Sequence, residues 1–184
     1  MTTKYHHEAL LDALAQAYTA AEKPQIAAAS INHIFSTLKA EHCWSKHPPQ
    51  QRPACKYLHS ISNSSALWRA FMPLVPKLAW YSRAGDESFQ DKHANTIIFA
   101  TDHQNPMVGR TVGATVLAPG TRYPDHYHAP EETYLVATAG WFKNDAQHWQ
   151  HLSSGQTWYN PAHINHAMQA NPNSTLVAFW ALKN

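Results

Sequence analysis

The hydrophobic pattern of the first part of the chain predicts helices. Apolar residues recur at helical spacing from His7 to Glu22, Pro24 suits the first turn of a second helix, and residues 63–65 offer a serine-rich cap for a third. The apolar faces that this pattern predicts are Leu10, Leu11, Leu14, Ala17 and Tyr18 in the first helix, Ile26, Ile31, Ile34, Phe35 and Leu38 in the second, and Leu67, Trp68, Phe71 and Met72 in the third. A proline-rich connecting loop is expected at residues 46–55.

After about residue 95 the pattern changes to short β-rich segments separated by Gly, Pro, Asn and Asp. These segments are NTIIFAT, TVGATVLA, TYLVATAGWF, QTWY and STLVAFWAL. The chain is therefore expected to be mainly β. We expect residues 1–95 to form a helical segment that packs on an all-β barrel or sandwich at residues 96–184. The two are expected to make one compact unit.

Composition narrows the class of protein. Hydrophobic residues make up 44% and aromatic residues 11%, which favours a globular chain with room for aromatic-lined cavities. The formal charge is only +2 and the basic residues are scattered, so we expect no nucleic-acid partner. The N-terminus lacks an unbroken apolar run, which predicts no membrane association and a cytoplasmic location. Cys43 and Cys55 are expected to be free thiols, with one disulfide as the alternative.

The stretch YPDHYHAPEETY, residues 123–134, carries the candidate chemistry. His126, His128, Glu132 and Tyr134 are separated by even intervals, so an extended run would place all four on one face, although Pro130 interrupts regular alternation. Two imidazoles and a carboxylate on one face suit one side of a divalent transition-metal site. Glu131 falls on the opposite parity and is expected to be a carboxylate at the rim or behind the metal ligands, with a solvated position as the favoured alternative.

A fourth ligand is available later in the chain. Gly155 and Pro161 mark a turn before His166, which begins another apolar segment and could approach the first strand from across a barrel. The expected cofactor is one divalent ion, and zinc, iron, manganese, nickel and cobalt all accept this ligand set.

These residues resemble the two motifs of the cupin superfamily. Gly120, His126, His128 and Glu132 match the first motif, GxxxxxHxHxxxE, while Gly140 comes one residue later than that motif asks. Gly155, Pro161 and His166 match the second motif, but His163 stands where cupins prefer glycine and Ala170 where they prefer asparagine. The resemblance implies a C-terminal, jelly-roll-like cupin barrel with an N-terminal helical elaboration.

The combination HxHxxxExY, with Tyr123 before it and His166 after it, is similar to the cupin-type dimethylsulfoniopropionate (DMSP) lyases. This second resemblance implies a carbon–sulfur lyase of the dimethylpropiothetin dethiomethylase type. Such an enzyme cleaves DMSP to dimethyl sulfide and acrylate by β-elimination, without an organic cofactor. Tyr134 would be the general base and Tyr123 its helper in substrate positioning or proton handling.

The expected partner is a small carboxylate substrate with a cationic sulfonium, which favours aromatic surroundings. Trp141, Phe142, Trp158, Tyr159 and Trp180 are the candidates, each with core packing as the competing interpretation. Tyr134 also has an alternative role, as a buried aromatic that fills the barrel.

Two other functions stay open. The chain could be another metal-dependent cupin enzyme acting on a small carboxylate, such as an iron dioxygenase, or a small-molecule-binding cupin without turnover. A homodimer is also possible.

Overall fold

The structure is a computed structural model that describes residues 3–41, 43–84, 87–102 and 104–184. The helices in this part are α1 (Thr3–Ala20), α2 (Gln25–Glu41), α3 (Ala66–Phe71) and α4 (Glu87–Lys92), with short 3-10 helices at Pro53–Ser60 and Val75–Lys77. The strands are β1 (Trp80–Tyr81), β2 (His93–Ala100), β3 (Arg110–Leu117), β4 (Arg122–His126), β5 (Glu131–Val136), β6 (Gly140–Asn144), β7 (Gln147–Leu152), β8 (Thr157–Asn160), β9 (His166–Ala170) and β10 (Leu176–Lys183).

The strands form two antiparallel sheets. One sheet has the order β1-β2-β3-β10-β5-β8, and the other has the order β4-β9-β6-β7. Phe142 and Met168 of the smaller sheet share one buried cluster with Tyr134 and Trp180 of the larger sheet. The two sheets therefore pack face to face and enclose a barrel interior.

Strand β10 lies inside the larger sheet and is buried on both faces. Val177, Phe179 and Ala181 belong to the cluster that includes the helices, whereas Ala178 and Trp180 belong to the barrel interior. Because successive side chains of a strand point to opposite faces, a strand between two cores carries no polar face. This position explains the unbroken apolar run in STLVAFWAL.

Helices α1, α2 and α3 cover the outer face of the larger sheet. Tyr18 of α1 is fully buried there, and its hydroxyl lies 3.0 Å from the carbonyl oxygens of both Thr133 and Phe179. One side chain thus ties α1 to β5 and β10. The mainly β fold with an N-terminal helical elaboration, predicted from the sequence, is confirmed.

Several details differ from the sequence-based expectations. Ile26 was expected on the buried face of the second helix but is 58% exposed, because it lies in the first turn of α2. A 3-10 helix begins at Pro53, inside the predicted loop, and TYLVATAGWF divides into β5 and β6. Strands β1 and β2 begin before residue 96, the predicted start of the barrel, and the division of the chain at that point stays a prediction.

Other expectations are met. Ser65 caps α3 by accepting a hydrogen bond from the backbone N–H of Trp68 at 3.1 Å, and Cys43 and Cys55 are both free. Within the described residues, no helix combines the length and apolar character needed to cross a membrane.

Replacing Tyr18 with Phe tests the link between α1 and the barrel. The variant loses a buried hydroxyl that bonds two strands, so we expect the free energy of unfolding to fall by about 1–2 kcal/mol in urea titrations. Tyr5→Phe, at a position that is 54% exposed on the same helix, is the control and should stay within about 0.5 kcal/mol of the wild type. Equal effects of the two substitutions would contradict the proposed link.

Candidate metal centre

The histidine motif does not lie on one extended strand. Strand β4 ends at His126, His128 lies in the connection, and β5 begins at Glu131, in the other sheet. The even spacing from His126 to Tyr134 therefore does not place these side chains on one face of a strand, and Pro130 lies in the turn that separates the two strands. The side chains nevertheless converge, because the chain crosses from one sheet to the other.

His166 was expected to approach from across the barrel, and this expectation is wrong. It begins β9, which pairs with β4, and it is directly opposite His126 in the register, with ring centroids 4.1 Å apart. Glu132 is the group that comes from the facing sheet. The site is thus built across the gap between the two sheets.

The backbone orients all three imidazoles in the same way. The Nδ1 atoms of His126, His128 and His166 lie 2.9, 2.8 and 2.9 Å from the carbonyl oxygens of Pro124, Pro130 and Ile164, each two residues away. A carbonyl oxygen can only accept, so each Nδ1 carries the proton and each Nε2 keeps its lone pair. This is the arrangement in which a histidine is a metal ligand.

The ring nitrogens meet at one point beside a carboxylate. One ligand atom from each of the three histidines lies within 4.8 Å of the others, and Oε2 of Glu132 lies 3.4 Å from Nε2 of His128 and 3.1 Å from Nε2 of His166. In the described part of the chain, these two Nε2 atoms are buried and have no hydrogen-bond partner. Lone pairs that face a buried carboxylate need positive charge between them, so the residues fit a divalent cation.

The charges of this cluster depend on one another. Burial raises the pKa of Glu132, but the imidazoles of His128 and His166 outweigh it and hold that pKa well below its usual range. Burial lowers the pKa of His128, but the Glu132 carboxylate brings it above its ordinary value. Burial lowers the pKa of His126 to about 4. Glu132 is therefore ionised, and His126 is neutral near pH 7.

Asn160 holds the Glu132 carboxylate, and sequence reasoning missed this role. Asn160 is fully buried and donates from Nδ2 to Oε2 of Glu132 at 3.3 Å, while its own Oδ1 accepts from Trp158 Nε1 at 2.9 Å and from Asn144 Nδ2 at 3.1 Å. Two donors on Oδ1 fix the orientation of the amide. No sequence spacing indicated this contact, which depends on the β5–β8 pairing of Glu132 with Asn160.

The two tyrosines occupy different environments in the same cavity. Burial, together with the negative charge of Glu132, raises the pKa of Tyr134 well above its ordinary value, and Tyr134 lies two residues from Glu132 on the same face of β5. The hydroxyl of Tyr123 instead accepts a hydrogen bond from Asn95 Nδ2 at 3.2 Å. Both side chains are buried, and both line the cavity beside the histidines.

This cavity has a volume of about 270 Å³ and opens to solvent. Its lining includes His126, His128, Glu132, Tyr123 and Tyr134, and also Tyr81, Arg83, Asn95, Met107, Thr115, Tyr127, Met168, Trp180 and Leu182. Most of the second group come from β1–β3 or from loops, where no motif distinguished them in the sequence.

Of the five aromatic residues suggested for substrate binding, Trp180 lines the cavity and the other four are placed elsewhere among the described residues. Trp141 is 38% exposed and packs on His151, and Phe142 is fully buried. Trp158 bonds Asn160, and Tyr159 bonds Glu131. The positions of these four residues support the competing interpretation of core packing, except that Trp141 packs at the surface.

Glu131 is not a solvated rim residue, contrary to expectation. It accepts hydrogen bonds from Ser30 of α2, from the hydroxyl of Tyr159 at 2.6 Å and from Lys183 Nζ at 3.1 Å. Although burial raises its pKa, these donors hold the pKa of Glu131 below its ordinary value. Adjacent glutamates thus face opposite sides of β5, and Glu131 joins the barrel to α2.

A barrel of two antiparallel sheets, with histidines at the ends of paired strands and a carboxylate opposite them, defines a cupin with a candidate metal site. The chain belongs to the DMSP lyase family, whose model, described as dimethylsulfoniopropionate lyase, matches residues 26–178. The match extends well into the helical part of the chain. No curated protein matches this sequence.

Solved structures with the same fold include DMSP lyases. A chain from the crystal structures of the DMSP lyases RdDddP and RnDddQII aligns with 100% of this chain and 94% of its own length, at 18% identity and a TM-score of 0.74. The DMSP lyase DddQ from Ruegeria pomeroyi DSS-3 aligns with 83% of this chain and 90% of its own length, at 18% identity and a TM-score of 0.66. At these identities, the likeness shows the shared fold.

The turn before His166 contains a non-glycine residue in the left-handed backbone region. His163, which stands where cupins prefer glycine, is exposed and has a φ of 62°, and its N–H donates to the carbonyl of His128 at 2.9 Å. The turn geometry is thus kept despite the departure from the motif. We expect His163→Gly to be neutral or to raise the free energy of unfolding by up to about 1 kcal/mol, and His163→Val to lower it by about 1–2 kcal/mol, in urea titrations. A well-tolerated valine would contradict the left-handed backbone conformation.

Proposed function

We propose that this chain is a metal-dependent DMSP lyase that cleaves its substrate to dimethyl sulfide and acrylate by β-elimination. The observation that carries the proposal is that one ligand atom from each of His126, His128 and His166 lies within 4.8 Å of the others, with the Glu132 carboxylate beside two of them, in a chain of the DMSP lyase family. His126, His128, Glu132 and His166 are the proposed ligands. A divalent cation held by them would supply positive charge that favours the phenolate of Tyr134 and the negative charge developing on the substrate carboxylate.

Tyr134 is the proposed general base. It is buried, lines the cavity and lies two residues from Glu132 on the same face of β5, so a substrate whose carboxylate lies near the histidines would bring its α-carbon close to this hydroxyl. As phenolate, Tyr134 takes the α-proton, and the electron pair of the C–H bond forms the double bond of acrylate. The bond from the β-carbon to sulfur breaks, and its electrons leave with neutral dimethyl sulfide.

The other cavity residues suit the two ends of the substrate. Trp180 offers an aromatic face to the sulfonium, which cannot accept a hydrogen bond. Tyr123 has its hydroxyl in the same cavity and would hold the carboxylate end. The cytoplasmic location and the homodimer expected from the sequence stay predictions.

An iron dioxygenase would need the same kind of ligands but also oxygen, and it would not need Tyr134 as a base. A binding protein without turnover would release no product. Anaerobic turnover of DMSP therefore separates the proposed function from both alternatives.

The adjacent glutamates provide a matched test of the metal ligands. Wild type is expected to hold about one divalent ion per chain, and Glu132→Gln should weaken its affinity by tenfold or more, because a charged ligand is replaced by a neutral one. Glu131→Gln should keep the metal and instead lower Tm, because it weakens the contacts to Ser30 and Lys183. Metal content by mass spectrometry after dialysis and Tm by calorimetry check both. Equal metal loss in the two variants would contradict the assignment.

The base is tested by anaerobic release of dimethyl sulfide from the metal-loaded protein. We expect Tyr134→Phe to lower kcat by at least about 100-fold, because the general base is removed, with metal content and Tm near those of wild type. Tyr159→Phe, which removes a hydroxyl outside the cavity, should keep most of the activity. A fully metal-loaded wild type without activity would refute the lyase. Activity that survives Tyr134→Phe would assign the base to Tyr123 instead.

A further inference from the structure

A buried hydrogen-bond chain leads from the wall of the barrel to Tyr123. Asn95 of β2 and Thr115 of β3 are directly opposite each other in the register, and both side chains line the cavity. Thr115 Oγ1 donates to Asn95 Oδ1 at 2.6 Å, and Asn95 Nδ2 donates to the hydroxyl of Tyr123 at 3.2 Å. Because Tyr123 lies on β4, this chain spans the gap between the two sheets.

The direction of these hydrogen bonds decides whether the Tyr123 hydroxyl can donate to a ligand. In the structure the amide oxygen of Asn95 faces Thr115 and its NH₂ group faces Tyr123. Tyr123 therefore accepts from Asn95. In the described part of the chain, no protein group accepts the proton of Tyr123, whose oxygen lines the cavity. That proton is free for a ligand in the cavity.

The ring of Tyr123 is fixed separately from its hydroxyl. The rings of Phe89, His93 and His126 surround it at centroid distances of 5.7, 5.2 and 4.7 Å. Packing thus sets the position of the oxygen, and Asn95 sets the direction of the O–H bond. Asn95, Thr115 and Tyr123 are all buried, so their polar groups are costly to desolvate unless they form hydrogen bonds.

We propose that Asn95 and Thr115 are positioning residues that hold the Tyr123 hydroxyl as a hydrogen-bond donor to the carboxylate of the bound substrate. This inference rests on the proposed function for the identity of the substrate. The donated bond strengthens as negative charge moves onto the carboxylate during removal of the α-proton, so its loss affects kcat more than KM. Thr115 acts through Asn95, and Asn95 acts through Tyr123.

A double-mutant cycle in the metal-loaded protein tests the chain. Asn95→Leu and Thr115→Val keep the shape of each side chain, and each should lower kcat about tenfold, the value of roughly one hydrogen bond. Thr115→Ser should restore most of the activity. Asn95→Leu should add nothing in a Tyr123→Phe background, because the group through which it acts is gone. Thr96→Val, on the same strand but bonded to the carbonyl of Ala79, is the control and should keep wild-type kcat.

Two results would overturn the proposal: an unchanged kcat in both Asn95→Leu and Thr115→Val, or an equal loss from Asn95→Leu with and without Tyr123. If Asn95→Leu fails to fold by Tm and metal content, the same cycle is run with Thr115→Val.

Acrylate affinity, followed by the fluorescence of Trp180 and the other tryptophans, gives a second readout that does not need turnover. Asn95→Leu should weaken acrylate binding several-fold in wild type and not further in Tyr123→Phe. This pattern in a protein that releases no dimethyl sulfide would refute the proposed lyase and leave the positioning role standing. A lyase with no such pattern, in kcat or in acrylate binding, would refute the positioning role alone.

Discussion

The buried carboxylate of Glu132 faces the Nε2 atoms of His128 and His166 at 3.4 and 3.1 Å, and this contact constrains everything around it. An ionised carboxylate inside a barrel is costly unless positive charge and hydrogen bonds compensate it. The backbone carbonyls that fix the Nδ1 protons leave the lone pairs of the ring nitrogens directed at the carboxylate. Asn160 supplies the remaining hydrogen bond. These contacts fix the orientation of groups that fit a divalent cation.

The larger sheet supports the groups around Glu132, because each of its two faces packs against a buried hydrophobic cluster. Its outer face packs on the helices through residues such as Phe179 and Leu135, and its inner face presents Tyr134 and Trp180 to the cavity. Tyr18 fastens the helical layer to the two strands that carry these side chains. Among the described residues, helices α1, α2 and α3 contribute no side chain to the cavity lining. They support the site indirectly, because they pack on β5 and β10.

The two tyrosines of the cavity have different polar neighbours. Burial and the negative charge of Glu132 raise the pKa of Tyr134. Tyr123 receives a bond from a neutral amide and keeps its own proton for a ligand. A sequence shows two tyrosines near a histidine motif, but only the neighbours that folding brings to each hydroxyl distinguish the proposed base from the proposed hydrogen-bond donor.

The sequence by itself determined the first three helices, the change to a mainly β second half, the fold class and the residues that meet at the candidate metal centre, because helical and strand periodicity and ligand spacing are local properties. It did not determine how these residues meet. The even spacing from His126 to Glu132 suggested one strand, whereas the structure uses two strands in two sheets. Asn95, Thr115 and Asn160 were invisible in the sequence, because their partners lie on neighbouring or facing strands. Strand pairing is a long-range property, so only the tertiary structure decided which aromatic residues face the cavity and which polar groups orient the site.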